Sequence, residues 1–295
     1  LVLHHVDDGR LTGEPKRNWD LIQWLTQFLL LKVSAPITEG MAYKYLGRTK
    51  IRIKDGWITI PDHTLLLEIL DLIGYTNAQL KVPDTPGTKR DGNELVYDLK
   101  GTDTTDYRSC SGKMLYYCRD IENIAYAGKE LARGMHGPTT AHEKDLHRLA
   151  RFLSNKSKHC IEQMITRTDD GSRTLVMMCD SDCQGDDKGR STSGFRAAIN
   201  GYKLSHSSTT QPGLPAQSSG EAETRVTSKT ACEGIFIQAV ALEWNMPMTL
   251  EIHSDASVAV LGSQKLSGGR MKHLTAAQTL IRTLVKRRLA KVRKI

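Results

Sequence analysis

At 295 residues the chain has room for one large domain or two ordinary ones, and 39% hydrophobic with 25% charged residues excludes a disordered polypeptide. No apolar run reaches about 18 residues, which excludes a membrane-spanning helix and leaves no membrane role. A net charge of +8 and a pI near 9.1 suit a polyanionic partner such as nucleic acid, whose binding draws on phosphate neutralisation.

In chain order, Leu1 to Asp8 reads as a short strand running into paired carboxylates at a tight turn. The opening Leu1-Val2-Leu3 has no initiator Met and no signal peptide, as in a segment of a longer polypeptide. Trp19 to Leu31 is apolar at helical spacing. Met41 to Ile60 alternates, with turns at Gly47 and Asp55-Gly56, and predicts a hairpin. His63 to Ile73 predicts a helix that Gly74 stops. Pro83, Pro86, Gly87, Gly92 and Gly101, set among charges, predict a linker over 81–105. Asp106 to Cys160 is mostly helical: first Tyr107 to Met135, then, after Gly137-Pro138, Thr140 to Leu153. Tyr107, Tyr116, Tyr117 and Tyr126 are read as core of these helices.

Arg173 to Cys179 predicts a strand that delivers Asp180. A charged turn follows from Gly185 to Gly194, and Phe195 to Ile199 pairs with Tyr202 to Ser208 across Asn200-Gly201, a strong hairpin signal. Gln211 to Gly220 is a loop and Glu221 to Trp244 a long helix. Leu250 to Ser254 delivers Asp255, followed by a helix through Leu261. Lys272 to Lys286 predicts another helix, and Ala290 to Ile295 a final strand. This order makes an α/β mixed sheet flanked by helices, with Asp180 and Asp255 at strand ends, where such folds place function.

Carboxylates on separate elements with no Cys/His pattern are what a hard divalent cation needs. The candidates are Asp180-Ser181-Asp182, Glu221-Ala222-Glu223 and Asp255. Two such ions activate a water and stabilise the leaving oxygen of a phosphodiester, so the pattern points to a metal-dependent nuclease. Ser218-x-x-Glu221 has capping-box spacing, which offers Glu221 a structural task and leaves Glu221 and Glu223 as alternative ligands. Asp182 is read as a solvated turn acid and His206 as a packing residue, while His273 is open between a structural role and an approach to the acidic site. The six cysteines do not form a disulfide framework; Cys179 and Cys183 lack a second Cys/His pair for zinc and are read as reduced thiols.

Five motifs carry a resemblance: Cys179 to Asp186, Arg190 to Phe195, Ser218-Ser219-Gly220-Glu221-Ala222-Glu223, Ser254 to Ala259, and Lys272-His273-Leu274. In order and spacing they resemble ribonuclease H, and more closely the ribonuclease H domain that ends a Ty1/copia-type retrotransposon Pol polyprotein. Upstream, Tyr107 to Tyr116, Asp120 to Ala127 and His142 to Leu153 resemble the segment between polymerase and nuclease. His5-Val6-Asp7-Asp8 and Tyr45-Leu46-Gly47 resemble the end of a reverse transcriptase palm. The resemblance covers nearly the whole chain. It implies a ribonuclease H-like mixed sheet at 171–295, preceded by a partial palm/thumb at 1–80, a linker at 81–105 and a helical connection at 106–170.

It further implies hydrolysis of the RNA strand of RNA–DNA hybrids. Asp180, Glu223 and Asp255 would be the catalytic, metal-holding residues for two Mg²⁺ ions, with Mn²⁺ as the substitute. Within the pattern Glu223, rather than Glu221, aligns with the catalytic Glu. Asp7 and Asp8 match the metal-binding pair of the polymerase remnant. Arg190, Ser191, Lys272, Lys286 and Arg287 would be the nucleic-acid contacts, with turn formation the alternative for Arg190 and Ser191 and a solvated helix end the alternative for Lys286 and Arg287. The implied partners are a hybrid, the rest of the Pol polyprotein and a second copy of the chain. The implied location is intracellular, in a cytoplasmic virus-like particle or the nucleus. His5 stands where the family usually has Tyr, and Thr275 where it usually has Asp. The family's first polymerase Asp and fourth nuclease carboxylate fall outside Leu1 to Ile295, so weak or no activity is expected of this segment. The competing readings are a degenerate, non-catalytic nucleic-acid-binding remnant and a connection domain that serves only polymerase dimerisation.

Overall fold

The computed structural model describes residues 2–5, 8–54, 56–75, 81–87, 95–154, 161–164, 173–186, 188–264 and 275–295. The first strands, β1 (Val2–His5) and β2 (Asp8–Leu11), form an antiparallel hairpin with His5 opposite Asp8. Helix α1 (Pro15–Leu25) opens on a proline, whose fixed φ and missing N–H suit a first turn. It begins and ends earlier than the apolar run Trp19 to Leu31 predicts. The Thr26 hydroxyl donates to the Gln23 carbonyl at 2.8 Å, a local bond that competes with helix propagation. No residue of α1 is buried.

A meander follows: β3 (Ala42–Tyr45), β4 (Arg48–Ile53) and β5 (Gly56–Ile60). Leu46 and Gly47, at φ 50° and 75°, make the tight turn between β3 and β4. Helix α2 (His63–Leu72) is capped by the Asp62 carboxylate, which accepts from the Thr64 amide at 3.1 Å. Gly74 at φ 71° ends it, and the Tyr75 amide reaches back to the Leu70 carbonyl at 2.8 Å.

The predicted helix Tyr107 to Met135 is two helices, α3 (Thr102–Cys118) and α4 (Ala125–Gly134), separated by a 3-10 turn at Glu122–Ile124. The chain breaks because the Arg119 and Asp120 amides tighten onto the Tyr116 and Tyr117 carbonyls, at 3.3 and 3.1 Å. Helix α5 (Thr140–Ser154) then packs with α2, α3 and α4 around Ile69, Tyr107, Met114, Tyr117, Ile124, Leu131, Leu149 and Leu153. Tyr107 donates to the Leu131 carbonyl at 2.7 Å. Tyr116 is only half-buried, and its hydroxyl donates to the Leu46 carbonyl at 3.0 Å. Tyr126 is not core: it is 48% exposed, with the Lys129 ammonium 4.2 Å above its ring. Strand β6 (Ile161–Met164) lies within the stretch read as helical connection and adds antiparallel to β5, completing a four-stranded sheet.

The last part holds β7 (Thr174–Ser181), β8 (Thr192–Ile199), β9 (Tyr202–Thr210), α6 (Ser219–Glu243), β10 (Thr249–Ser254), α7 (Ser257–Gln264), α8 (Thr275–Lys286) and β11 (Lys291–Lys294). Its five-stranded sheet runs β11-β10-β7-β8-β9. The meander β7-β8-β9 is antiparallel, whereas β10 is parallel to β7 and β11 to β10. This is an α/β fold in which a mixed five-stranded sheet flanked by helices follows the four-stranded sheet and the helical layer.

Asn200 and Gly201, at φ 48° and 84°, make the predicted hairpin turn. Alternation puts Leu175, Met177, Leu250 and Ile252 on one face, under Val226 and Ala231 of α6 and Ile281 and Leu284 of α8. Gly234 lets α6 lie close to the sheet, since a Cβ there would sit 2.7 Å from Leu250 Cδ1. The helical layer joins β8 and β9: Arg196 pairs with Glu122 at 3.2 Å, and His206 Nε2 bonds the Cys118 carbonyl at 2.8 Å. Among the described residues no helix is long and apolar enough to cross a membrane.

Candidate metal centre

Three elements converge at one end of the five-stranded sheet. β7 carries Asp180 near its end, Asp255 follows the end of β10, and Glu223 lies in the first turns of α6. Parallel pairing of β7 with β10 sets Cys179 opposite Ser254, so both strands deliver their acids at the same edge. One carboxylate oxygen from each of Asp180, Glu223 and Asp255 lies within 4.8 Å of the other two. Asp180 and Asp255 are exposed and Glu223 is buried.

The electrostatics of this trio differ from those of a solvated acidic cluster. The Glu223 carboxyl is pushed up to about 7, first by burial and then by the neighbouring charges of Asp180 and Asp255. Its Oε1 accepts from the Ser181 amide at 3.2 Å, while its Oε2 is buried with no hydrogen-bond partner among the described residues. Such an orphaned acceptor costs about 1–3 kcal/mol. A hard cation placed between the three carboxylates would offset both the orphaned oxygen and the repulsion, so the donor set fits an oxygen-loving divalent ion.

Glu221 is turned away. The Ser218 side chain caps α6, accepting from the Glu221 amide at 3.2 Å. The Glu221 carboxylate in turn accepts from the Gln217 amide at 3.0 Å and from Arg225 at 2.6 Å. Its charge is therefore spent on the helix start. Asp182 is a turn acid as expected, but a bonded rather than a solvated one, since its carboxylate accepts from the Thr192 amide.

The turn after β7 is braced from α4. Asp186 accepts from the amides of Lys188 and Arg190, and pairs with the Arg190 and Arg133 guanidiniums at 3.0 and 3.1 Å. Burial pushes its carboxyl up, but together these contacts outweigh it and hold the carboxyl below the usual range. Lys129, also buried, donates to the Thr192 hydroxyl at 2.8 Å across 63 residues of sequence. No sequence signal marks Lys129 or Arg133, because nothing local relates them to a turn so far along the chain.

The candidate nucleic-acid residues are scattered. Arg190 is held by Asp186, and Ser191 is buried with its hydroxyl accepting from the Gln184 amide at 3.1 Å, so both serve the turn. Lys286 and Arg287 are exposed where α8 leads into β11. Register pairs Lys291 with Glu251 and Lys294 with Ser254, which puts Lys286 and Arg287 at the end of the sheet opposite the acids. Lys294 lies on the acidic side and donates to Ser257 at 2.9 Å. Asp8 opens β2. Asp7, Lys272 and His273 lie outside the described residues.

No family model matches the chain. It is 31% identical over 236 residues to the "Uncharacterized mitochondrial protein AtMg00810" of Arabidopsis thaliana, covering 79% of this chain and 92% of that protein. Two solved structures of the foamy viral protease-reverse transcriptase, one in complex with an RNA/DNA hybrid and one with dsDNA, align with all of this chain. Their TM-scores are 0.54 and 0.52, at 14% and 12% identity. The chain spans 35% and 54% of those two viral chains, and the likeness is one of fold. With nearly the full length of the Arabidopsis protein matched, the chain belongs to the family of uncharacterized mitochondrial protein AtMg00810.

Proposed function

We propose that the chain is a reverse transcriptase–ribonuclease H segment of a Ty1/copia-type retrotransposon, and that it hydrolyses the RNA strand of RNA–DNA hybrids. The observation that carries this reading is the convergence of Asp180, Glu223 and Asp255 from three elements to within 4.8 Å, with one Glu223 oxygen left unpartnered among the described residues. The reading divides the chain into a partial palm/thumb at 1–80, a linker at 81–105, a helical connection at 106–170 and the nuclease at 171–295. Asp7 and Asp8 belong to the polymerase part.

Asp180 and Asp255, both exposed, face solvent and are reachable by a substrate phosphate. With its carboxyl pushed up to about 7, Glu223 is partly protonated near neutral pH, and positive charge beside it favours release of that proton. Two Mg²⁺ ions held by these three residues would supply the charge that activates the attacking water and stabilises the leaving oxygen. The Ser181 amide orients both acids beside it, donating to Asp180 Oδ1 at 2.8 Å and Glu223 Oε1 at 3.2 Å. The basic surface at Lys286 and Arg287 takes up phosphates away from the acids, and RNA is distinguished by its 2′-OH in the shallow groove.

The test is cleavage of a duplex with a labelled RNA strand, with Mg²⁺ or Mn²⁺, by the chain and by Asp180→Asn. Weak metal-dependent RNA cleavage that vanishes in the variant is the expected result. Equal cleavage by both proteins overturns the assignment of the site. Metal-independent binding with no cleavage by either selects a non-catalytic remnant instead.

A further inference from the structure

Gln211, the first residue after β9, is 4% exposed and has no role in the chemistry above. Its side-chain Nε2 donates to acceptors on three elements, two of which share one of its two hydrogens: Ser181 Oγ on β7 at 3.0 Å, Ser193 Oγ on β8 at 3.1 Å and the Ala222 carbonyl of α6 at 2.9 Å. A carbonyl can only accept, so the contact with Ala222 fixes which end of the amide carries the N–H groups. Its own backbone amide is tied to the Ser191 carbonyl at 2.7 Å. Ser181 directly follows Asp180, and Ala222 directly precedes Glu223. One amide therefore clasps the residue next to each of two acids.

The other end of the same side chain shows what it is for. Gln211 Oε1 is buried with no hydrogen-bond partner among the described residues. A methionine would fill nearly the same space without an orphaned acceptor, so packing alone does not explain an amide here. What the amide adds is the set of N–H bonds. They join the end of β7 to the start of α6, and that gap sets the distance between the Asp180 and Glu223 carboxylates.

We propose that Gln211 is a positioning residue for the acidic centre, holding the Glu223-bearing helix start against the Asp180-bearing strand. The proposal rests on the reading of that centre as a divalent-cation site. Gln211 touches neither the cation nor the substrate; it acts through Ser181 and Ala222. Loss of its N–H groups loosens the spacing of the carboxylates and weakens the cation more than it weakens the fold.

The experiment is calorimetric titration of the full chain with Mn²⁺, comparing wild type, Gln211→Met and Asp180→Asn, with unfolding followed in parallel. Gln211→Met is expected to bind Mn²⁺ about tenfold more weakly while still unfolding cooperatively, and Asp180→Asn to lose binding. If Gln211→Met does not fold, Gln211→Asn takes its place. Its shorter arm keeps the amide but cannot reach all three acceptors, and the same weakening is expected. Wild-type affinity in the tested Gln211 variant, with binding lost in Asp180→Asn, overturns the positioning role and leaves the cation site standing. Absence of Mn²⁺ binding in the wild type overturns both.

Discussion

Helices α1 and α6 both carry apolar residues at helical spacing, and they meet different fates. In α6, Val226 and Ala231 are fully buried against the sheet, and Gly234 lets the helix lie close to Leu250. In α1, Trp19 and Trp24 are 55% and 56% exposed, and Phe28 just beyond it is 68% exposed. Apolar periodicity specifies a face but not what covers it. The part from β7 to β11 has a sheet for its helix to cover, and α1 has no such surface among the described residues. The closed region also holds the acidic trio, as expected for carboxylates that must stay fixed relative to one another.

The largest effect that would sharpen this contrast is at the site. Asp180→Asn should lower hybrid cleavage by at least about 100-fold, the scale of losing one charge contact to a transition state, read from initial rates. Next is the core beneath it. Leu250→Ala, at a fully buried position, should destabilise the chain by about 2–5 kcal/mol, measured by denaturant unfolding. A loss below 1 kcal/mol, on the order of a surface substitution, would mean that α6 and the sheet are not packed as described.

The pH dependence isolates Glu223. A carboxyl raised from 4.5 to about 7 contributes stability that is fully present below its unfolded-state value and lost as pH rises through its folded value. The metal-free chain should therefore lose melting temperature between pH 4.5 and about 7 through this group. Glu223→Gln removes that component, so the variant should melt higher than wild type at alkaline pH and show little difference at acid pH. Added Mg²⁺ should raise the wild-type melting temperature more above pH 7 than at mildly acid pH. Identical pH profiles for wild type and Glu223→Gln would show that the carboxyl is not crowded.

Smaller effects probe the two remaining regions. His206→Ala removes the bond to the Cys118 carbonyl that ties β9 to α3, and should cost about 1 kcal/mol. Trp24→Ala should change stability by less than about 0.5 kcal/mol, because the ring is mostly exposed. A loss as large as that at Leu250 would break the comparison, since it would show α1 covered in solution.

Much of the fold is legible locally. The turn at Asn200-Gly201, the Ser218 cap of α6 and the strands ending at Asp180 and Asp255 follow from residues within a few positions of each other. The errors are of one kind. The end of α1 at Thr26, the break between α3 and α4, and the exposure of Tyr126 depend on competing bonds or packing that periodicity does not register. Asp182 was legible as a turn acid, but its bonding to Thr192 was not, because that partner lies across a strand pair.

By itself the sequence determined the element order from β7 to β11 and the residue types a divalent cation would need, because turn chemistry and side-chain alternation act between near neighbours. Only the tertiary structure decided that Asp180, Glu223 and Asp255 share one end of the sheet and that Gln211 bridges β7, β8 and α6. These are contacts over long sequence separations, 42 residues between Ser181 and Glu223 and 74 between Cys179 and His253. Sheet order and register bring such residues together, and no local pattern encodes the distance.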